Sequence, residues 1–202
     1  MLAFFLAALI VAAVPGPDNL FVLAQSATFG RRAGLCVVAG LCTGICFQTV
    51  LLVAGVSIII VNSPSAFFVL QCAGAAYLLY LSFRSFQVRA ASVSISKGLS
   101  LSPGDQYLRG IVMNLTNPKA VLFMLAFLPP AVNLKSSIDP SLQMVILGAE
   151  FILSVLIVFG LVVFFAGFFN DYLGKSPKAI RNMNWTSGVI FIILAVTLFF
   201  VK

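Results

Sequence analysis

Val14-Pro15-Gly16-Pro17-Asp18-Asn19 and Asn114-Leu115-Thr116-Asn117-Pro118-Lys119 decide how this chain is read. Both stretches lie deep in apolar sequence that would otherwise run on as helix. Proline removes a backbone donor and clashes with the preceding turn, so two prolines around a glycine break a helix outright. Asn117-Pro118 is a restart signal, with Asn as N-cap and Pro at the first helical position. The two breaks occupy matching places: Pro17 and Pro118 are 101 residues apart, half of the 202-residue chain. At that offset Asp18 stands in register with Lys119, although little beyond the one proline is identical.

The chain around these breaks is 61% apolar and 8% charged, with a mean hydropathy of +1.14. A soluble domain is about 45–50% apolar and about 25% charged. The comparison excludes a soluble globular protein, a disordered chain and a disulfide-rich secreted fold. Six apolar segments stand out, near Leu2–Phe29, Leu35–Val61, Ser65–Phe83, Tyr107–Ala131, Leu142–Phe169 and Asn184–Val201. Each is long enough to cross a hydrocarbon core of about 30 Å. An open sheet cannot satisfy its backbone in lipid, and barrel-like alternation is absent, so the spans are helices. The first segment lacks a basic leader and a small-residue cleavage site, and its apolar run resumes after Pro17; it is not expected to be a cleaved signal peptide. The expected fold is an all-α integral membrane protein with six transmembrane helices, the first and fourth broken.

Loop charge orients the spans. Arg31 and Arg32 follow the first segment. Arg84, Arg89, Lys97 and Arg109 surround the third connection, and Lys175, Lys178 and Arg181 follow the fifth segment. These nine basic residues fall on one side, against Lys135 and Lys202 on the other, so the positive-inside rule places both termini outside. The net charge of +7 therefore reflects cytoplasmic loops, and no nucleic-acid partner is expected. The Ser-rich connection 85–106 divides a single 202-residue transport domain into halves 1–84 and 107–202. With an odd number of spans in each, halves sharing one fold must be inverted. A 3+3 inverted repeat is a plan of many secondary transporters, whose sites lie at broken helices near the midplane.

Three charges fall inside spans. Asp18 is 13 residues before Arg31 and Lys119 is 12 residues after Tyr107, so at 1.5 Å per residue they lie about 20 and 18 Å deep. A lysine at a helix N-terminus is on the wrong end of the dipole and needs an anion, either Asp18 or a substrate carboxylate. Asp18 beside a half-helix N-terminus is also open to simple dipole pairing, and proline kinks need not bind anything. Glu150 lies 8 residues into the fifth span among wholly apolar neighbours. Burial penalises its ionised form, which suits a proton carrier, with an interhelical hydrogen bond as the structural alternative. Gln48, Thr49, Gln71 and Asn114 either line a cavity or bond neighbouring helices, and Gly40-x-x-x-Gly44 is a close-packing pattern. Cys42 and Cys46 share a helix face without further soft ligands, so packing explains them better than a metal. The chain has no His, no paired-acid motif and no Cys–His pair, so an enzyme is not expected.

Several stretches resemble the LysE/RhtB family of bacterial amino-acid exporters. They are Pro15–Asn19, Gly30-Arg31-Arg32-Ala33-Gly34-Leu35, Gly74-Ala75-Ala76-Tyr77-Leu78-Leu79-Tyr80-Leu81, Arg109-Gly110 and Asn114–Ala120. The resemblance implies an inner-membrane protein of six spans that exports amino acids or relatives, driven by the proton motive force. The substrate site is then expected at Gly16, Pro17, Asp18, Asn19, Asn114, Asn117, Pro118 and Lys119, with Glu150 and Asp18 as candidate proton-coupling groups. Partners are an amino acid, protons and the bilayer, with a homo-oligomer left open; no metal or other cofactor is expected. The alternatives are export of another small solute such as a metal ion, and a membrane-embedded enzyme. Thiol electron transfer, known in the wider group, wants a cysteine in each half, whereas Cys36, Cys42, Cys46 and Cys72 all lie in the first.

The orientation is tested by single cysteines on a cysteine-free background. A cysteine at Ser63 or Ser136 is expected to react with an impermeant thiol reagent outside intact cells, and one at Ser96 is not. Reaction at Ser96 would invert the topology; the alternative of five spans, with the first segment re-entrant and the N-terminus inside, keeps Ser96 inside and differs only at the N-terminus.

Overall fold

A computed structural model describes residues 2–62, 64–87, 100–133, 135–168 and 177–199. All regular structure among them is helical. The first apolar segment is two helices, α1 (Leu2–Ala13) and α2 (Pro17–Phe29), which meet at 61°. The fourth is α5 (Pro103–Thr116) and α6 (Pro118–Phe127), followed by a 3-10 turn at Pro129–Ala131, with a bend of 54° between its halves. The remaining segments are α3 (Arg31–Asn62), α4 (Pro64–Gln87), α7 (Pro140–Phe164) and α8 (Pro177–Thr197). Six of these eight helices begin at a proline, whose fixed φ is ready for the first helical position and whose missing N–H costs nothing there. Side chains complete several starts: Ser102 accepts from the Asp105 N–H at 3.1 Å, and Asp139 from the N–H groups of Ser141 and Leu142 at 2.8 and 3.2 Å.

Residues 31–55 of α3 and all of α7 are each 25 residues long and apolar enough to cross a membrane; each bent pair passes as a unit, giving up to four candidate spans among the described residues. Large apolar side chains such as Val50, Leu51, Leu153, Leu161 and Ile193 are exposed while Asp18, Asn114 and Lys119 are buried. That distribution is right for lipid surroundings and wrong for water.

The helices overrun the apolar segments. The helix begins at Arg31 where hydropathy begins at Leu35, and at Pro103 where it begins at Tyr107. The sixth segment is corrected most: its helix starts at Pro177, seven residues before Asn184, so Lys178 and Arg181 belong to its first turns. Hydropathy marks the part of a helix inside lipid, whereas capping and proline mark where the helix itself starts. Helix likewise occupies both ends of the connection 85–106, through Gln87 and from Pro103. Ser63, Arg89, Lys97, Lys175 and Lys202 lie outside the described residues.

Helix α3 is the spine. It crosses α5 in parallel at small residues: Gly40 faces Tyr107 and Gly110, and Gly44 faces Asn114. It runs antiparallel to α7, with Gly34 against Val163 at one end and Thr49 against Gly148 at the other. Helices α4 and α8 pair antiparallel, through the Gln71 amide to the Leu198 carbonyl at 3.3 Å and an edge-on Phe86–Trp185 contact at 5.1 Å. Phe123 of α6 is fully buried; its ring stacks against Phe4 of α1 at 5.6 Å and meets Phe151 of α7 at a tilt at 5.2 Å. The two breaks are thereby held against each other inside the bundle.

The α3–α5 crossing yields a test. A Cβ on Gly110 would lie 3.0 Å from the Gly40 Cα and the Leu41 nitrogen, whereas one on Gly160 meets nothing within 4 Å. Gly110→Val is expected to cost roughly 1–3 kcal/mol by overpacking and to lower the thermal midpoint in detergent. Gly160→Ala should leave it unchanged or slightly raised. Equal midpoints for the two variants would contradict this crossing.

Candidate functional site

The site is built by two helix ends that neither half can complete alone. Helix α1 stops at Ala13 because Pro15 and Pro17 supply no N–H to its last carbonyls. Gly16 is extended, at φ −148° and ψ −179°, and α2 restarts at Pro17 with Asp18 in its first turn. An acidic residue there is favoured by the dipole. In the other half, Asn117 caps α6 by accepting from the Lys119 N–H at 3.0 Å. Lys119 therefore starts at the positive end of α6, and its long side chain leaves that end for the opposite break.

There its ammonium donates to the Val14 carbonyl at 2.9 Å, the Asn19 Oδ1 at 3.1 Å and the Asp18 Oδ1 at 3.3 Å. An ammonium has three donors, and all three are met. Val14 lies at the negative end of α1, so the lysine exchanges an unfavourable helix terminus for a favourable one. Lys119 is 7% and Asp18 6% exposed, which makes this a buried ion pair. Such a pair is destabilised by about 3–5 kcal/mol when one partner is removed, because the other charge is left alone.

Asn19 ties the break together. Its Oδ1 also accepts from the Gly16 N–H at 3.1 Å, and its Nδ2 donates to the Ala12 carbonyl at 2.9 Å. Gly16 is needed for space: a Cβ would lie 2.6 Å from the Asp18 Oδ1 and 3.1 Å from the Lys119 Nζ. Asn114, near the end of α5, accepts through both its carbonyl and its Oδ1 from the Gln48 amide of α3, each at 3.1 Å. Thr49 instead bonds its own helix, to the Ile45 carbonyl.

The expected residues thus separate into groups. Asp18, Asn114 and Lys119 line one small cavity of about 10 Å³ walled by Val11, Phe151 and Val155, room for about one water. Gly16, Asn19 and Asn117 shape the two breaks, with Pro17 and Pro118 at the helix starts. Glu150 is not brought into the cavity. It sits on α7 next to Phe151 but turned about 100° around the helix, half-buried, with its Oε2 buried and unpartnered among the described residues. No three His, Cys, Asp or Glu side chains come together among those residues. The Val14 carbonyl carries no sequence signal of its own, since it is backbone; Gln48 and Asn114 take the interhelical bonding that was one of their two expected roles.

The LysE type translocator family profile matches residues 9–201. The chain belongs to this family. Among curated relatives, it is 28% identical to an uncharacterized membrane protein of Bacillus subtilis over 95% of this chain and 94% of the relative. It is 26% identical to the leucine efflux protein of Salmonella typhimurium, over 94% and 89% of the two chains. To the homoserine/homoserine lactone efflux protein of the same organism it is 28% identical, over 97% and 94%. No solved structure matches. This LysE family chain is therefore a membrane translocator with amino-acid efflux proteins among its relatives.

The ion pair is testable as a pair. Lys119→Ala and Asp18→Asn should each lower the thermal midpoint of the purified protein, at a cost of about 3–5 kcal/mol. The double variant should lose less than either single one, because no lone charge remains. Additive losses would contradict a direct pair.

Proposed function

We propose that this chain exports amino acids or close derivatives across the bacterial inner membrane, by proton antiport with alternating access around the Asp18–Lys119 junction. The observation that carries this reading is the buried ion pair at the meeting point of two half-helices. A zwitterionic amino acid presents the complementary charges to each partner. Its carboxylate replaces Asp18 at the Lys119 ammonium, joined by free N–H groups of a half-helix. Its ammonium replaces Lys119 at Asp18 and at the Val14 carbonyl. Charges isolated in a low-dielectric site require such partners.

The cavity of about 10 Å³ is far below the roughly 300 Å³ at which ligand pockets begin, so substrate enters only when the halves part. Alternating access then rocks one half against the other around the fixed junction. Six spans in a 3+3 inverted arrangement, termini outside, fit this motion. In support, α5 packs in parallel on α3, and α1 packs on α7 in the corresponding way. Helices α4 and α8, at 24 and 21 residues, reach about 36 and 31 Å and complete the count.

Glu150 is the proposed proton carrier. Its Oε2 is buried and unpartnered among the described residues, so no hydrogen bond at that oxygen explains why a carboxyl stands inside the bundle. One charge moved inward is worth about 2.3 kcal/mol per 100 mV, a gradient of about fifty-fold.

Proteoliposomes test this reading. The wild-type protein should exchange labelled amino acid and accumulate it when a pH step is applied. Glu150→Gln, which mimics the protonated form, should exchange at wild-type rate and fail to accumulate. Wild-type accumulation by that variant would remove Glu150 from coupling and leave Asp18. Failure of the wild-type protein to move any amino acid would overturn the function itself.

A further inference from the structure

Gln25 of α2 is fully buried, and neither its Oε1 nor its Nε2 has a hydrogen-bond partner among the described residues. A side-chain amide left without partners bears the full cost of its lost hydration. The packing around it offers no reason to keep that cost, because an apolar side chain of the same size would remove it.

Its position supplies one. Gln25 is seven residues from Asp18, within about 20° of two full helical turns, so the two lie in one row about 10 Å apart along α2. The row runs from the ion pair toward Gly30, Arg31 and Arg32, the end assigned to the cytoplasm. One turn from Gln25, the Arg109 guanidinium sits over the Phe21 ring at 5.1 Å, which places a cation beside the row. Next to Gln25, Ser26 packs tightly against Gly34 of α3 and close to Val163 of α7. These contacts hold α2 against α3 and α7 at the end assigned to the cytoplasm.

We infer that Gln25 is a second substrate-binding residue, on the cytoplasmic route to the Asp18–Lys119 junction. It engages the carboxylate or ammonium of an incoming amino acid once α2 separates from α3 and α7. The inference rests on the exporter reading. In the closed state the amide has no partner among the described residues; in the open state water and then substrate supply both its donor and its acceptor. The Nε2 donors suit a carboxylate and the Oε1 suits an ammonium, so the row passes a zwitterion to the ion pair without leaving either charge bare.

Two variants decide it. Gln25→Leu keeps the volume and removes the orphan amide. Its thermal midpoint in detergent should equal or exceed that of the wild type, while counterflow in proteoliposomes falls at least tenfold, mainly through a raised KM. A lowered midpoint would show that the amide is satisfied by a structural partner, and wild-type counterflow would show that substrate does not use it; either overturns the inference. Gln25→Cys on a background lacking Cys36, Cys42, Cys46 and Cys72 reads access without reference to substrate. It should react with an impermeant thiol reagent applied to the cytoplasmic face of inverted vesicles. If wild-type protein moves no amino acid, the exporter reading fails first, and labelling still decides whether Gln25 lies on a water-accessible route. No labelling overturns it.

Discussion

An ammonium at the positive end of a half-helix, inside hydrocarbon, must reach anionic groups elsewhere or leave a bare charge in a low dielectric. Lys119 reaches them across the bundle. Its three acceptors belong to the first break: the Val14 carbonyl just past the end of α1, and the Asp18 carboxylate and Asn19 amide oxygen in the first turn of α2. Much of the architecture follows from that reach. The two breaks must abut, so Phe123 packs both α1 and α7 against α6. Gly16 must lack a side chain, so the ion pair has room. Helix α3 must pass close by, so Gly40 and Gly44 let α5 lie directly against it.

A pair of this kind also has a functional consequence. A buried ion pair is weak evidence of stability, since well-packed apolar residues often serve as well. The proposed function makes this pair, placed where each half is interrupted, one that opens. On the proposed reading, a zwitterion inserted between Asp18 and Lys119 restores an opposite charge to each, so substrate replaces contacts instead of merely breaking them. The cost of opening is then low only with both substrate charges present, which ties conformational change to occupancy.

The strongest sequence signals were chemical ones with few alternatives. Two prolines around a glycine, and Asn-Pro-Lys, stop and restart helices whatever surrounds them, and both breaks lie where those residues lie. The Asp18–Lys119 contact was legible because a lysine on the wrong end of a dipole needs an anion and the chain offers few. Helix ends were less legible: α8 begins at Pro177, ahead of its apolar stretch, because hydropathy reports the lipid-buried part alone. The role of Asn19 was hidden too. Its amide is engaged by Gly16, Ala12 and Lys119. Side-chain bonding within a break depends on the three-dimensional course of the backbone, and no spacing rule reports it. Glu150 stands 8 residues into the fifth apolar segment, but whether it faces the junction depends on a rotation about α7 that its uniformly apolar flanks do not fix.

The central claim is that the junction recognises both charges of an amino acid at once. It is tested most directly by competition against counterflow of a labelled amino acid in proteoliposomes. The competitors are the intact unlabelled amino acid, the corresponding amine lacking the carboxylate, and the corresponding acid lacking the ammonium. The account predicts that the intact amino acid competes, while each single-charge analogue needs at least a hundredfold higher concentration. Equal competition by either analogue would contradict it, because one of the two partners, Asp18 or Lys119, would then have no part in holding the substrate.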